Sequence, residues 1–289
     1  MSEPTAKAGA SPMVAIEEPR GEALPLVFDS PHSGTIYPED FRHATTLELL
    51  RGSEDRFVDD LFADAPVAGA TLVRALFARS YIDPNRSLFD IDVGLMSDDW
   101  PEAVEPSETT RRGFGLVFRL HGEAQPIYDR KLDTAEIRRR IETCWRPFHD
   151  ALDETIAGLC DAHGAVWHIN CHSMQPVGNE LAPDPGKVRP DMVLGDLDGR
   201  SCDRAFTDFV AGALEGLGYS VALNDPYKGA YIVERHGRPD DGRHSLQIEV
   251  NRKLYMNQDD LDRHEGFAGL RRDLAQLARQ VADFVREQL

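Results

Sequence analysis

Short, nearly continuous apolar segments alternate along this chain with segments of helical periodicity, and this alternation limits the possible folds more than any other feature. The first apolar segment, residues 24–29, stops at Ser30-Pro31-His32-Ser33-Gly34, as expected of a buried strand that ends in a loop. Apolar runs without polar alternation are typical of strands covered on both faces. Further strands are predicted at residues 71–76, 81–82, 115–118, 165–171, 192–194, 219–223, 231–233 and 245–250.

The helical pattern is clearest after Asp133, where apolar residues recur at steps of three or four as far as Leu159. Similar patterns predict helices at residues 55–62, at 203–217 and from Leu261 to residue 289. Strands interleaved with helices are typical of an α/β domain. We therefore expect one catalytic domain over residues 21–289, with a mixed, largely parallel twisted sheet between helices. Residues 1–20 show no periodic pattern and are predicted to form a disordered tail.

The charge of the chain limits its expected partners. It contains 50 acidic and 32 basic residues, which gives a formal net charge of -18. Nucleic-acid binding relies on clustered Lys and Arg, so a nucleic acid is not an expected partner. No apolar run approaches the roughly 20 residues of a bilayer-spanning helix, and the first residues lack the pattern of a secretory signal. We expect a cytoplasmic protein that binds a small molecule and no membrane; the sequence does not indicate its oligomeric state.

The cysteines do not suggest a metal site or a disulfide framework. They show no C-x-x-C spacing and are four in a chain of 289 residues: Cys144, Cys160, Cys171 and Cys202. Reduced and mostly buried thiols are therefore expected.

Two of the predicted strands end in a histidine. His32 follows the first strand, and His172 follows the strand at residues 165–171. Ligands of α/β proteins bind beyond the carboxyl ends of strands, and neutral imidazole is a good zinc ligand. The pair therefore predicts a catalytic metal site, although either histidine alone would more often be a hydrogen-bonded loop residue. The third ligand is expected among Glu54, Asp55 and Asp59, for which a helix start and a solvated helix face are the alternatives.

Glu249 lies in the middle of the strand predicted at residues 245–250. Alternation along this strand places Glu249 on the face opposite Ile248 and Val250. A carboxylate at such a position can serve as the general base on a metal-activated water. The alternative is a salt bridge to Arg252 or another arginine.

Several arginines lie close to these segments and suggest how a substrate is bound. A guanidinium fork binds a carboxylate through two hydrogen bonds, which suits an amino-acid-like substrate. Any one of these arginines is more often structural, and packing is the safer expectation for Tyr231. The predicted substrate-binding residues are Asn85, Arg86, Arg252 and Tyr231, and the further candidates are Arg235, His236 and Arg238.

Five sequence blocks, in this order, resemble the N-formylglutamate amidohydrolase family. They are Ser30-Pro31-His32-Ser33-Gly34, Glu54-Asp55-Arg56-Phe57-Val58-Asp59, Asp83-Pro84-Asn85-Arg86, Asn170-Cys171-His172-Ser173 and Gln247-Ile248-Glu249-Val250-Asn251-Arg252. The family is related to the zinc carboxypeptidases and to the aspartoacylase-type deacylases. The resemblance implies a zinc carboxypeptidase-like, phosphorylase/hydrolase-like fold, a single zinc ion, and hydrolysis of an amide on an acidic amino acid.

The resemblance also implies roles for individual residues. His32 and His172 resemble the two metal-binding histidines, and Glu249 resembles the carboxylate that promotes attack by water. Arg86 resembles an arginine that holds a substrate carboxylate.

One position departs from the carboxypeptidase pattern H-x-x-E. Thr35 stands three residues after His32, so the acidic ligand has to come from another segment. Similarity to the family block favours Asp55, with Glu54 as the second choice.

The reaction implied by this resemblance is conversion of N-formyl-L-glutamate and water to formate and L-glutamate, with Zn²⁺ or another divalent ion as cofactor. Two alternatives remain from the sequence. One is a deacylase or peptidase for another N-acyl amino acid or a small peptide. The other is a metal-free binding protein of the same fold.

Overall fold

A seven-stranded sheet organises the chain. The computed structural model describes residues 12–122 and 124–289. The strands are β1 (Val14–Glu17), β2 (Leu26–Ser30), β3 (Thr71–Ala75), β4 (Leu120–His121), β5 (Gln125–Pro126), β6 (Val166–Met174), β7 (Met192–Gly195), β8 (Val221–Leu223) and β9 (Arg243–Asn251). The order of strands in the sheet is β1-β3-β2-β6-β9-β7-β8. Strands β3, β2, β6 and β9 run parallel, whereas β1 and β7 are antiparallel to β3 and β9. Strands β4 and β5 form a separate hairpin.

Helices cover both faces of the sheet. They are α1 (Leu47–Arg51), α2 (Val58–Leu61), α3 (Glu108–Arg111), α4 (Thr134–Arg140), α5 (Arg146–His163), α6 (Arg204–Gly216), α7 (Tyr231–His236) and α8 (Gly266–Gln288). One face of the sheet packs Phe28, Ile169 and Ile248 into a core shared with α2, α6 and α8. The opposite face packs Val27 and Val73 into a second core, to which α4 and α5 contribute. None of the helices described here combines the length and apolar character needed to cross a bilayer.

The predicted mixed sheet between helices is confirmed. Three of the predicted helices correspond to α2, α6 and α8, and the long helix after Asp133 comprises α4, a π-helical turn at Ile141–Trp145 and α5. Asp133 caps α4 by accepting a hydrogen bond of 2.7 Å from the backbone N–H of Glu136.

Other predictions for secondary structure are wrong. Residues 231–233 begin helix α7, and residues 81–82 and 115–118 form no strand. Of the predicted tail, residues 1–11 lie outside the described residues, but Val14–Glu17 pair with β3 as an edge strand. The prediction of a tail is therefore wrong for these four residues.

The loops that leave β2 and β3 lie in direct contact. Ile36 and Phe77 form a bridge between them. A Cβ atom on Gly34 would lie 2.3 Å from the carbonyl oxygen of Phe77, so only glycine fits at this position without a shift of the backbone. This close approach fixes the path of the chain just after His32.

Candidate active site

The predicted site residues lie at one edge of the sheet. Strands β2, β3, β6 and β9 run parallel, so their carboxyl ends meet there. His32 lies two residues beyond β2, His172 near the end of β6, and Glu249 near the end of β9. Asp83 and Arg86 follow β3. All of these side chains except Asp83, which contacts His32, line one cleft with a volume of about 670 Å³.

Two histidines and an aspartate converge at the bottom of this cleft. The Nδ1 atoms of His32 and His172 lie 3.3 and 3.1 Å from Oδ2 of Asp55. One ligand atom from each of the three residues lies within 4.8 Å of the others, and all three side chains are buried. The backbone N–H of Asp55 donates to the carbonyl of His32 over 3.0 Å, which holds the two segments together.

The second nitrogen of each imidazole has its own acceptor. Nε2 of His32 lies 2.7 Å from Oδ1 of Asp83, and Nε2 of His172 lies 2.7 Å from Oδ1 of Asn170. Burial alone would raise the pKa of Asp83, but Arg79 holds it well below its usual value, so the carboxylate accepts from His32. In a neutral imidazole that donates through Nε2, the lone pair lies on Nδ1, so both Nδ1 atoms can face Asp55 as metal ligands.

These three residues fit a metal ion. Burial lowers the pKa of His172, which favours the neutral imidazole. Oδ1 of Asp55 accepts hydrogen bonds from Arg252 and Ser173 over 3.0 and 3.3 Å, which leaves Oδ2 facing the imidazoles. Two imidazole lone pairs and a carboxylate oxygen that face one another form an electron-rich cluster, which a cation among them would stabilise. Histidine nitrogens held by carboxylates or amides are typical of zinc sites.

Of the three acidic candidates, only Asp55 faces the histidines. The carboxylate of Glu54 accepts hydrogen bonds from Tyr37 and Arg56. Asp59 forms an ion pair of 3.3 Å with Arg74.

Glu249 lies directly beside His172, its register partner on the neighbouring strand. Its Oε1 accepts a hydrogen bond of 2.9 Å from Gln247. Burial raises the pKa of Glu249 well above the usual carboxyl value, and the negative charge of Asp55 adds to the shift. The alternative of a salt bridge to Arg252 is wrong, because that guanidinium binds Asp55, Ser173 and the carbonyls of Gly52 and Glu54. Glu249 is thus poised to exchange a proton within the cleft.

The four predicted substrate-binding residues have different surroundings. Arg86 lines the cleft and donates to the carbonyls of Phe114 and Asn85, at 3.1 and 2.9 Å, with no carboxylate of the described residues within 4.0 Å. Asn85 lines the cleft with Nδ2 3.3 Å from Nε2 of His172, and its Oδ1 accepts from the N–H of Ile232.

Arg252 lines the cleft but is bonded to Asp55. Tyr231 instead lines an adjoining pocket of about 290 Å³, lies near the rings of Trp145 and His149, and accepts a hydrogen bond from Arg235.

The further candidates Arg235, His236 and Arg238 are absent from the cleft lining. Arg235 is paired with Asp153, and His236, the last residue of α7, is buried beside the ring of His168.

Other residues of the site were missed at the sequence level. Arg79 lines the cleft, is bonded to Asp83 over 2.8 Å, and lies 3.8 Å from Asp55. Its place just beyond the apolar run of β3 was a usable signal, because the other site residues also follow strands. His121 also lines the cleft, but it lies on the short β4–β5 hairpin, which has no apolar run to reveal it.

The mixed sheet and the buried acid–base groups at its edge define an α/β protein with an enzyme-like active site. The family model for N-formylglutamate amidohydrolase matches residues 24–256. The chain therefore belongs to the N-formylglutamate amidohydrolase family.

Individual relatives agree with this assignment. The chain is 30% identical over 273 residues to the N-formylglutamate deformylase of Pseudomonas aeruginosa, with 92% of each chain covered. It is 29% identical over 239 residues to the enzyme of the same name from Pseudomonas putida, with 81% of this chain and 83% of the relative covered. The crystal structure of N-formylglutamate amidohydrolase from Ralstonia eutropha is similar with a TM-score of 0.93 and 47% identity, covering 96% of this chain and 99% of that one.

Proposed function

We propose that this chain is a metal-dependent amidohydrolase that converts N-formyl-L-glutamate and water to formate and L-glutamate. The observation that carries the proposal is the convergence of His32, Asp55 and His172 beside Glu249, in a cleft that also contains the guanidinium of Arg86. The names of the relatives from two Pseudomonas species and from Ralstonia eutropha support the choice of substrate.

Arg86 and Asn85 bind and orient the substrate in this proposal. A substrate carboxylate supplies the partner that the described residues do not provide for Arg86, and a fork of two N–H donors fixes its orientation. The amide Nδ2 of Asn85 lies beside His172 in the same cleft, where it can donate to the same substrate. This binding places the formamide carbon next to the two imidazoles, so the reacting groups are held together before the reaction.

His32, Asp55 and His172 would hold the metal ion. A bound zinc ion supplies Lewis acidity, which activates water and polarises a carbonyl group. Imidazole and carboxylate ligands favour zinc, although the same donor set also binds manganese, iron or cobalt.

Glu249 moves the proton in the proposed reaction. Its carboxylate accepts a proton from the water that attacks the formyl carbon and delivers it to the amine as the C–N bond breaks. The positive charge of Arg79 at the same edge stabilises the oxygen that becomes negative in the transition state. Water adds to the carbon, the nitrogen leaves protonated, and the products are formate and glutamate.

The test uses purified protein, zinc-loaded or treated with a chelator, and N-formyl-L-glutamate as substrate. Release of formate by the loaded protein, its loss on chelation and its return with Zn²⁺ are expected. A panel of N-acetylglutamate, N-formylmethionine and a γ-glutamyl dipeptide separates this substrate from other N-acyl amino acids and peptides. Metal analysis with no stoichiometric ion, together with no hydrolysis, would instead identify a binding protein.

Two matched variants assign the roles of the acids. Glu249→Gln is expected to retain zinc while turnover falls by a factor of about 100 to 10,000, the usual contribution of general acid–base catalysis. Asp55→Asn is expected to lose zinc, and Glu54→Gln to retain it. Retention of zinc by Asp55→Asn with loss in Glu54→Gln would make Glu54 the ligand, and normal turnover of Glu249→Gln would exclude it as the base.

A further inference from the structure

A row of polar side chains runs beneath the metal-binding residues, on one face of the central strands. His168, Asn170 and His172 alternate along β6, and Asp29 on β2 is the register partner of Asn170. All four are at most 2% exposed, although they lie in the centre of the sheet. Burial of so many polar groups is costly unless each one is hydrogen-bonded. Asp29 and His168 have no part in the reaction proposed above.

The carboxylate of Asp29 is the acceptor on which this row depends. Its Oδ1 accepts from Nε2 of His168 over 2.7 Å and from Nδ2 of Asn170 over 2.8 Å, and its Oδ2 lies 3.1 Å from the same Nδ2. The hydroxyl of Ser245 lies 2.8 Å from Nδ1 of His168. A carboxylate can only accept here, so Asn170 has to turn its NH₂ group towards Asp29 and its carbonyl oxygen towards His172.

The orientation of Asn170 in turn decides where His172 carries its proton. The carbonyl oxygen of Asn170 lies 2.7 Å from Nε2 of His172, a distance that requires a proton on this nitrogen. Nδ2 of Asn85 is also a donor, because its Oδ1 accepts from Ile232, and it lies 3.3 Å from Nε2, where it favours the opposite tautomer. The contact with Asn170 is much shorter and better suited to a hydrogen bond, so it decides the tautomer. With Nε2 protonated, Nδ1 of the neutral ring presents its lone pair to Oδ2 of Asp55.

We propose that Asp29 is a positioning residue which, through the amide of Asn170, sets the tautomer of His172 and keeps its Nδ1 atom available to a metal ion. The importance of this for catalysis rests on the proposed function. The tautomer itself is a property of the protein without metal, so it can be measured independently.

The first variant, Asp29→Asn, reverses the direction of the hydrogen bonds that link position 29 to His172 through Asn170. An amide at position 29 gives its oxygen to His168 and its NH₂ group to Asn170, whose own amide then turns to present NH₂ to His172. The proton of His172 moves to Nδ1, so it has to leave this nitrogen before a metal can bind there. Zinc affinity, measured by competition with a chelating dye, is expected to fall by about 10- to 100-fold, the usual effect of losing such an outer partner.

A double variant, Asp29→Asn combined with Asn170→Asp, restores the original direction of the hydrogen bond to His172. The amide now at position 29 donates to the carboxylate now at position 170, and this carboxylate accepts from His172. The zinc affinity is therefore expected to return to within about threefold of the parent.

Two controls separate this effect from a general loss of packing. Asp196→Asn changes another buried aspartate, which binds Thr207 and Asn224 far from His172 in the hydrogen-bond network. Ser245→Ala removes only the outermost bond of the row. Neither is expected to change the zinc affinity by more than about threefold.

Nitrogen-detected NMR of the imidazoles in metal-free protein gives the decisive measurement. The parent and the double variant should show His172 protonated on Nε2, and Asp29→Asn should show it protonated on Nδ1. A parent protonated on Nδ1, an unchanged tautomer and zinc affinity in Asp29→Asn, or a folded double variant that fails to recover would each overturn the proposal. If the parent binds no zinc, the proposed function fails, and the NMR result still decides the role of Asp29. The parent spectrum also decides if Asp29→Asn does not fold.

Discussion

Substitution of Arg86 by glutamine tests how the substrate is held. Among the cations that line the cleft, the described residues give a carboxylate partner to Arg79, Arg112, Arg189, Lys228 and Arg252. Arg86 has two backbone carbonyls instead. In the proposed reaction, Arg86 is therefore the main partner of a substrate carboxylate, and removal of Arg86 would leave that carboxylate desolvated without a counter-charge.

The expected magnitude follows from this arrangement. Removing one partner of a desolvated, hydrogen-bonded charge pair costs about 2 to 5 kcal/mol, and Arg86 is only partly buried, so a value near 3 kcal/mol is appropriate. At about 1.4 kcal/mol per factor of ten, kcat/KM for N-formylglutamate should fall roughly 100-fold. Arg112→Gln is the matched control, since Arg112 lines the same cleft but is 41% exposed and paired with exposed Glu108. A change below about threefold is expected there.

A cycle with altered substrates separates binding from folding. N-formylglutamate with either its α- or its γ-carboxylate converted to an amide is assayed with the parent and with Arg86→Gln. For one of the two amides, kcat/KM with the parent should be roughly 100-fold lower than for N-formylglutamate. For the same amide, Arg86→Gln should lower kcat/KM only a few-fold further, because the missing carboxylate and the missing guanidinium belong to one interaction. If the losses in kcat/KM from the substitution and from the amide simply multiply for both amides, the assignment of Arg86 is refuted. A variant with a lower thermal unfolding temperature but unchanged kcat/KM would show that Arg86 only stabilises the fold, through its bonds to Phe114 and Asn85.

Three further predictions concern the fold. Glu136→Gln leaves the fully buried Arg140 without a carboxylate, which should cost about 3 kcal/mol in urea unfolding. Burial alone would raise the pKa of Glu136, but Arg130 and Arg140 lower it from 4.5 to about 2. The ionised form is favoured in the folded state, so the stability difference between parent and variant should be complete above pH 4.5 and shrink as the pH falls towards 2; a constant difference would contradict this. Gly34→Ala should lower stability by about 3 kcal/mol because the new Cβ meets the backbone at Phe77. Gly158→Ala in α5, with open space around it, should instead raise stability by about 1 kcal/mol. Equal unfolding temperatures of these two variants would be inconsistent with the close approach at Gly34. Native thiol labelling should modify Cys160 alone, since burial raises the pKa of Cys144 to about 11, that of Cys202 to about 12 and that of Cys171 well above its usual value; more than one labelled thiol per chain would show that the core opens.

The parts of the site that follow strands were predictable from the sequence. His32 and His172 stand at the ends of apolar runs, and parallel strands bring such ends to one edge of a sheet. The face of Glu249 followed from alternation along β9, because its neighbours Ile248 and Val250 enter the core. These positions depend only on local periodicity and on the general rules for α/β sheets.

The remaining parts depend on tertiary contacts that periodicity does not report. The direction of Asp55 is set by a loop in which Phe57 has a φ of 65°, and helix α2 begins only at Val58, so helical spacing could not select it from Glu54 and Asp59. The aromatic and β-branched residues from Tyr231 onward favour a strand by propensity, but they form a short helix packed against β9. The bond of Arg252 to Asp55 joins residues 197 positions apart, so no local pattern in the sequence could report it.

The proposed reacting groups and the walls of the cleft lie on different kinds of backbone. His172 and Glu249 stand on paired central strands, whereas Phe114, Leu181 and Tyr227 reach the cleft from the long connections around them. Insertions or exchanges in those connections can alter which acyl group and which amino acid are accepted, while the hydrolytic machinery keeps its geometry. New specificities can therefore arise in this scaffold by loop replacement alone, and loop grafting between relatives is the natural engineering route.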